Sequence, residues 1–319
     1  MSLSTALTSL QGKSILVFGK DGQLGRAFQE LFSDLKIPAI FIGRKECDLT
    51  NRQAIDAILN RYQPTIIFNA AAYTAVDKAE SESEVAFKVN QAAVAEMASY
   101  IANVSKGTLV HFSTDYVFDG KKQAPYTEDD ATNPLGVYGK SKLAGEDAIQ
   151  ECFQNSTSEV SKYFILRTSW VYGDGGNFIR TMLKFAAERD QLRVIVDQQG
   201  VPTNALWLAK VALELSQSSA DSGIYHTVPD GETTWHGLAL YVIELARQLG
   251  EGIKVPSERI EPIPASDYPL PAPRPKNSRM TNQKLKSALS DMAFEDNFPK
   301  WQDQVAEYVT SYVQQSLKS

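Results

Sequence analysis

The chain has 319 residues, 43% hydrophobic and 22% charged, a balance that suits one large α/β domain, or one with an added lobe, and excludes low-complexity or disordered character. With 32 basic against 38 acidic residues the net charge is -6, which argues against nucleic acid or an anionic membrane as the main partner. No apolar run approaches the roughly 18–20 residues of a membrane span. Cys47 and Cys152 are too few and too scattered for a disulfide framework or a zinc site, and the stretch Met1 to Lys13 lacks the basic start and continuous apolar core of a secretion signal, so a cytoplasmic location is expected.

Ser14 to Phe18 is a short apolar run that reads as a buried parallel strand. It leads into Gly19-Lys20-Asp21-Gly22-Gln23-Leu24-Gly25 and then a helical pattern from Arg26 to Phe32. Strand, glycine turn and helix form the setting of a dinucleotide fingerprint. The glycines permit a tight turn, close approach of a pyrophosphate and close helix–strand packing, with the helix N-terminus facing the anion. The spacing is GxxGxxG rather than GxGxxG. A second strand, Ala39 to Ile42, ends at Gly43-Arg44-Lys45. An acidic residue at this point would bind ribose hydroxyls, whereas Arg44 and Lys45 suit a 2′-phosphate, so NADPH is favoured; Glu46 close by keeps NADH open. Asp48 and Leu49 precede an amphipathic helix from Asn51 to Tyr62, and Asp48 reads equally as a helix N-terminal acid or an adenine contact. The third strand, Thr65 to Phe68, is followed by Asn69-Ala70-Ala71-Ala72-Tyr73, whose small residues let a backbone pass over a dinucleotide. The acidic run Lys78 to Glu84 reads as a solvated surface. A long helical pattern from Val85 to Ala102 contains Asn90, which pattern alone leaves ambiguous.

The fourth strand, Leu109 to Phe112, holds His111, read as a core or supporting histidine, and emerges at Ser113-Thr114-Asp115-Tyr116-Val117-Phe118. Hydroxyls at the carboxyl end of a central strand sit where open α/β sheets bind ligands. A loop over 119–135 leads to Asn133-Pro134-Leu135-Gly136-Val137-Tyr138-Gly139-Lys140-Ser141-Lys142, with helix formers from Val137 onward. Tyr138 and Lys142 are four apart, so they share a helix face. An ammonium beside a phenol favours the phenolate, which is expected to pull the tyrosine pKa down from about 10 and to make Tyr138 a proton donor or acceptor at a substrate oxygen shared with Thr114. A fifth strand, Tyr163 to Arg167, ends at Thr168-Ser169-Trp170-Val171-Tyr172-Gly173. Then come a helix over 178–189, a strand over 192–196, a helix over 205–215, a strand over 223–228 and a helix over 234–249. His226 and His236 have no metal-ligand spacing and read as structural. Pro256 to Pro275 reads as irregular; there Arg274 and Lys276 either hold a diphosphate or belong to a proline-stiffened crossing loop. Helices from Asn282 to Leu289 and from Pro299 to Leu317 complete the pattern.

Taken together, the glycine turn, Asn69-Ala70-Ala71-Ala72-Tyr73-Thr74, Ser113 to Phe118, the Tyr138–Lys142 pair, Arg167 to Gly173 and Arg274-Pro275-Lys276-Asn277-Ser278 resemble the extended short-chain dehydrogenase/reductase superfamily, and within it the dTDP-4-dehydrorhamnose reductases. The resemblance runs from the first strand to the last helix. It implies a Rossmann-type, doubly wound parallel sheet over 13–172, with 200–228 returning to it, and a smaller, mainly C-terminal α/β substrate lobe over 173–199 and 229–319. It implies reduction of dTDP-4-dehydro-6-deoxy-L-mannose to dTDP-L-rhamnose by NADPH or NADH. Tyr138, Lys142 and Thr114 would be catalytic. Gly19, Asp21, Gly22, Gln23, Leu24, Gly25, Arg44, Asp48, Leu49, Ala70, Ala71, Ala72, Tyr73, Asn90 and Thr168 would join Tyr138 and Lys142 in binding the cofactor. Asp115, Tyr116, Trp170 and Arg274 would meet the nucleotide sugar. Gly136 stands where the family often has Asn, a change expected to loosen the catalytic approach slightly. Some members pair through magnesium held by a Glu where this chain has Ala27, so no metal is expected and the protein is a monomer or a homodimer. Two other readings stay open: another nucleotide-sugar enzyme such as a 4,6-dehydratase or 4-epimerase, and a non-catalytic NADP-binding subunit like that of methionine adenosyltransferase. Tyr116 after Asp115, where dehydratases carry Glu, speaks against a dehydratase, and Thr114, where epimerases usually have Ser, discriminates more weakly against an epimerase.

Overall fold

The computed structural model of the chain describes residue 10 and residues 12–156, 160–250, 252–290 and 298–316. The apolar runs form strands because each buries both faces under helices, as a parallel sheet requires. Strand Ile15–Phe18 (β1) leads to helix Gln23–Asp34 (α1), Ile40–Ile42 (β2), helix Arg52–Tyr62 (α2) and Ile66–Asn69 (β3). Helices Val76–Ala79 (α3), Ser83–Phe87 (α4) and Ala93–Ala102 (α5) precede Thr108–Thr114 (β4), helix Val137–Gln154 (α6), Lys162–Thr168 (β5) and Val171–Tyr172 (β6). There follow helix Phe178–Glu188 (α7), Leu192–Ile195 (β7), Gln199–Gly200 (β8), Thr203–Asn204 (β9), helix Ala205–Gln217 (α8), Gly223–His226 (β10), Thr233–Thr234 (β11) and helix Trp235–Gln248 (α9). Ile260–Ile263 (β12), helix Gln283–Ala288 (α10) and helix Trp301–Ser316 (α11) come last.

Six strands form one parallel sheet in the order β2-β1-β3-β4-β5-β10. The chain moves outward from β1 to β2 and then returns past β1 to β3. The topological switch, where such sheets bind ligands, therefore lies between the carboxyl ends of β1 and β3. One face of the sheet is covered by α1 and α8, whose Phe28, Phe32, Leu208 and Val211 pack on Val17, Phe68 and Val110. The other is covered by α2, α5 and α6 through Ile55, Leu59, Met97, Ile101 and Ile149. A further core joins α7, α9 and α11 through Leu183, Val242, Val305 and Val309, next to Val117, Phe118 and Val201.

Three expectations change. The helical pattern from 85 to 102 is not one α-helix: Lys88–Ala92 winds as a π-turn between α4 and α5, and the extra residue per turn carries Asn90 into the interior. Within the proline-rich stretch, Ile260–Ile263 is a regular strand paired in parallel with Leu192–Ile195; Pro262 is tolerated in a two-stranded sheet where both strands are edges. Finally, β4 and β5 run on to the pairs Ser113↔Arg167 and Thr114↔Thr168, so Ser113, Thr114 and Thr168 belong to the sheet rather than to the segments beyond it. The reading of Met1 to Lys13 falls largely outside the described residues, as does Leu317. No helix among the described residues is long and apolar enough to cross a membrane.

Candidate active site

A cleft of about 590 Å³ opens at the switch between β1 and β3. Gly19, Asp21, Gly22, Gln23, Leu24, Arg44, Asp48, Leu49, Ala70, Ala71, Ala72, Tyr73, Tyr138, Lys142 and Thr168 all line it. Its floor is backbone packed on backbone. Gly19 has φ +87°, and a Cβ there would lie 2.6 Å from the Ala71 nitrogen; at Gly25 a Cβ would lie 2.0 Å from the Gly19 carbonyl oxygen. Gly25 therefore acts by seating α1 against the turn and does not itself line the cleft. The first turn of α1 follows Gly22, which offers no side-chain cap, so its N–H groups face the opening unsatisfied.

At the end of β2, Arg44 projects into the cleft. Glu46 does not: its carboxylate takes the Lys20 ammonium and, at 2.9 Å, the Gly43 N–H, and the first of these holds it below the ordinary carboxylate range. Asp48 is likewise engaged, accepting the backbone N–H and the hydroxyl of Thr50 at 3.0 and 2.9 Å.

Asn90 is 1% exposed and takes no part in the lining. Its side chain accepts the Tyr73 N–H at 2.8 Å and donates to the Tyr73 carbonyl at 3.1 Å and the Ser141 hydroxyl at 2.9 Å. It thus ties the loop after β3 to the helix that carries Tyr138. Gly145 makes the same contact possible from the other side, since a Cβ there would lie 2.1 Å from the Asn90 carbonyl oxygen. Gly145→Ala is expected to lower stability by about 1–3 kcal/mol, read as a reduced urea midpoint; an unchanged midpoint would show that the π-turn yields freely.

Helix α6 begins at Gly136, which has no side chain to cap it; the Glu80 carboxylate fills that place, accepting the Val137 N–H at 2.8 Å. A Cβ on residue 136 would lie 2.7 Å from that carboxylate oxygen. Glycine here admits a substitute cap from α3's C-terminal end, so the expected loosening of the catalytic approach is answered by Glu80.

One turn apart on α6, Tyr138 and Lys142 both reach the cleft. The expected depression of the phenol is not found. Tyr138 is pushed up to about 12, chiefly by desolvation against a smaller lowering by the Thr114 hydroxyl. Lys142, 1% exposed, donates to the Phe112 carbonyl at 2.6 Å and meets His111 Nε2 at 3.2 Å, and desolvation lowers it to about 8. Tyr138 is therefore a phenol, the form that can give a proton.

Thr114 donates to Asp115 Oδ1 at 3.0 Å; Asp115, 2% exposed, is raised to about 6 by burial. Tyr116 sets its ring edge-on to that of Tyr138, centroids 5.5 Å apart. Thr114, Asp115, Tyr116, Trp170 and Arg274 stand outside the cleft lining. Trp170 adopts φ +46°, a left-handed conformation unusual for a large side chain, and its ring lies between Trp235, stacked at 3.7 Å, and Gly200. Arg274 is bound by Asp77 through two hydrogen bonds of 3.0 and 2.8 Å, and Asp77 also accepts the Ala272 N–H. The arginine expected at a diphosphate is thus closed onto a carboxylate of α3.

Two features escaped the sequence reading. Asn69 and Ser113 line the cleft. Behind them Glu146 and Arg167, 0% and 2% exposed, form a bidentate ion pair, Nη2 to Oε2 at 2.6 Å, joined by the Ser113 hydroxyl. The available signal was position: Glu146 follows Lys142 by four residues on one helix face. Among the described residues no group of three or more His, Cys, Asp or Glu is placed to hold a metal.

The family model described as RmlD substrate binding domain matches residues 13–314. The dTDP-4-dehydrorhamnose reductase of Salmonella typhimurium strain LT2 is 42% identical over 301 residues, 91% of this chain and 94% of that protein. The chain belongs to the dTDP-4-dehydrorhamnose reductase family. Two solved reductases share its architecture along nearly their whole length. That of Clostridium acetobutylicum is 33% identical, with TM-score 0.79, over 93% of this chain and 98% of the other. That of Bacillus anthracis, solved in complex with NADP, is 29% identical, with TM-score 0.79, over 92% and 98%. Membership of this reductase family makes the protein an oxidoreductase, and the cleft that carries the glycine turn also carries Tyr138 and Lys142.

Proposed function

We propose that the protein reduces the 4-keto group of dTDP-4-dehydro-6-deoxy-L-mannose with NADPH, giving dTDP-L-rhamnose. The observation that carries this reading is the convergence of the glycine turn, Arg44, Tyr138 and Lys142 on one cleft. The cleft suits a dinucleotide. It offers an uncapped helix N-terminus for the pyrophosphate, small residues at 70–72, and two buried oxygens without a hydrogen-bond partner, Thr168 Oγ1 and Gln23 Oε1. Bound there, the reduced nicotinamide supplies hydride to the carbonyl carbon.

The chain's own residues supply the rest. Tyr138, held as a phenol, gives its proton to the C4 oxygen; Thr114 hydrogen-bonds the same oxygen, and Lys142 presents its remaining N–H to the cofactor ribose. Acid catalysis of this kind contributes about 10²–10⁴-fold, and preorganised donors add more. Residues 13–172 with 200–228 would carry the dinucleotide, and 173–199 with 229–319 the sugar side. Asp115, Tyr116 and Trp170 would border the sugar, while Arg274 would exchange Asp77 for the diphosphate. The reading keeps the cytoplasmic location expected from the sequence.

Arg44 would meet the 2′-phosphate. A charge-assisted hydrogen bond is worth about 1.5–3 kcal/mol, so Arg44→Ala is expected to weaken NADPH by about 10–100-fold while leaving NADH nearly unchanged in a fluorescence titration. Equal loss for both would move the phosphate contact elsewhere. The function itself is tested by following NADPH oxidation with substrate made in situ from dTDP-glucose by a 4,6-dehydratase and an epimerase. Oxidation that needs both upstream enzymes supports the reductase; NADPH binding without oxidation would favour a non-catalytic NADP-binding subunit or another nucleotide sugar.

A further inference from the structure

A continuous chain of hydrogen bonds runs through the wall of the cleft, and its direction is fixed at one end. The Ala71 N–H can only donate, and it does so to Asn69 Oδ1 at 3.2 Å. That leaves the Asn69 amide NH₂ facing His111 Nδ1 at 3.1 Å, so Nδ1 must accept and the single proton of the neutral ring sits on Nε2. Nε2 then donates to Lys142 Nζ at 3.2 Å, which requires a lone pair on that nitrogen, while Nζ donates to the Phe112 carbonyl at 2.6 Å. His111 is fully buried and Asn69 is 1% exposed, so both side chains are shielded from bulk solvent. Each of these contacts pairs a donor with an acceptor only when Lys142 is a neutral amine.

Charging Lys142 reverses the chain. An ammonium must donate to Nε2, the ring proton must then be on Nδ1, and Asn69 must turn its oxygen toward the ring, which withdraws that oxygen from Ala71. The balance is one proton taken up from solvent: the amine gains it, and the imidazole keeps its one proton on the other nitrogen. We propose that Asn69 and His111 are positioning residues that couple the charge of Lys142 to the Ala71 N–H, so that an anionic dinucleotide entering the cleft meets a charged lysine and a freed backbone donor together.

Other charges facing this chain are few. Glu146 lies one turn beyond Lys142, paired at two points with Arg167 from β5, and its charge raises the lysine against the larger lowering by desolvation; Tyr138 lies one turn before, with Asp115 beyond Thr114. Burial holds His111 well below its usual range, so the ring stays neutral throughout, and Lys142 near 8 brings the reversal within reach of solution experiments. The inference depends on the proposed function only for the nature of the ligand.

The test needs no ligand. The chain has three histidines, so their nitrogens can be followed by long-range ¹H–¹⁵N NMR in the free protein, with Lys142 read from its Cε and Nζ shifts. The expected result is an Nε2–H tautomer at high pH that converts to Nδ1–H at the midpoint of Lys142, with the Ala71 amide shift moving at that same midpoint and no imidazolium formed. A tautomer that stays fixed through the Lys142 midpoint, or an imidazolium there, would overturn the proposal. Asn69→Asp, once ionised, can only accept, so across the Lys142 midpoint it should hold Nδ1–H and raise the proton affinity of Lys142 at least tenfold; an unchanged midpoint would likewise contradict it. Absence of keto reduction leaves this result untouched, so the two readings fail separately.

Discussion

Replacing Tyr138 by Phe is expected to lower kcat by about 10²–10⁴-fold while changing NADPH affinity little. The ring stays, so its edge-on contact with Tyr116 and the start of α6, held by Glu80, survive the change. Only the acidic proton is lost. The phenol's high pKa sharpens the expectation. At about 12 the group is protonated across the working range, so no depression of its pKa is needed for it to act as an acid. The demand falls instead on stabilising the phenolate left behind, and in the cleft Lys142 is the charge one helical turn away. A variant that keeps near-normal kcat would remove Tyr138 from the chemistry. One that loses NADPH binding to the same degree as kcat would make it a cofactor-binding residue only.

The second large effect concerns stability. Arg167→Met leaves Glu146 as a buried carboxylate bonded only to Ser113, and breaking a buried pair from one side costs about 3–5 kcal/mol. We expect that loss in urea unfolding, together with reduced activity, because the pair anchors the face of α6 that holds Lys142 to β4 and β5. The double variant Arg167→Met with Glu146→Leu should recover most of it, since a well-packed apolar pair removes the charge along with its partner. If the double variant is as unstable as the single one, the loss arises from packing around Phe118, over whose ring the guanidinium lies at 5.1 Å.

The elements that proved legible in the sequence were those whose local signal and tertiary role agree. The run Ile15-Leu16-Val17-Phe18 had one compatible environment, a strand covered on both faces, and the glycines after it had one geometry. That Arg44, Tyr138 and Lys142 line one cleft follows from spacing, which brings them to a strand end or one helix face. What could not be read depends on partners distant in sequence. Asn90 looks like any helical polar residue until a π-turn directs it inward to Tyr73 and Ser141. Ile260–Ile263 becomes a strand only because Leu192–Ile195 offers an edge. Arg274 carried no sign that Asp77, almost two hundred residues earlier, would hold it. The pKa of Tyr138 was misjudged because spacing shows that a lysine is near but not that His111 and the Phe112 carbonyl engage it, nor how far burial outweighs it.

The central claim is hydride delivery to a sugar carbon with Tyr138 supplying the proton, and the most direct measurement follows the label. The wild-type protein would be supplied with NADPH deuterated at the transferring position of the nicotinamide and with the 4-keto sugar nucleotide formed in situ, and the product read by ¹H NMR. Our account predicts dTDP-L-rhamnose with deuterium at C4 and none elsewhere, formed in step with NADPH consumption and suppressed in Tyr138→Phe. Unlabelled product, label at another carbon, or label at C4 formed equally fast by the Phe variant would contradict it.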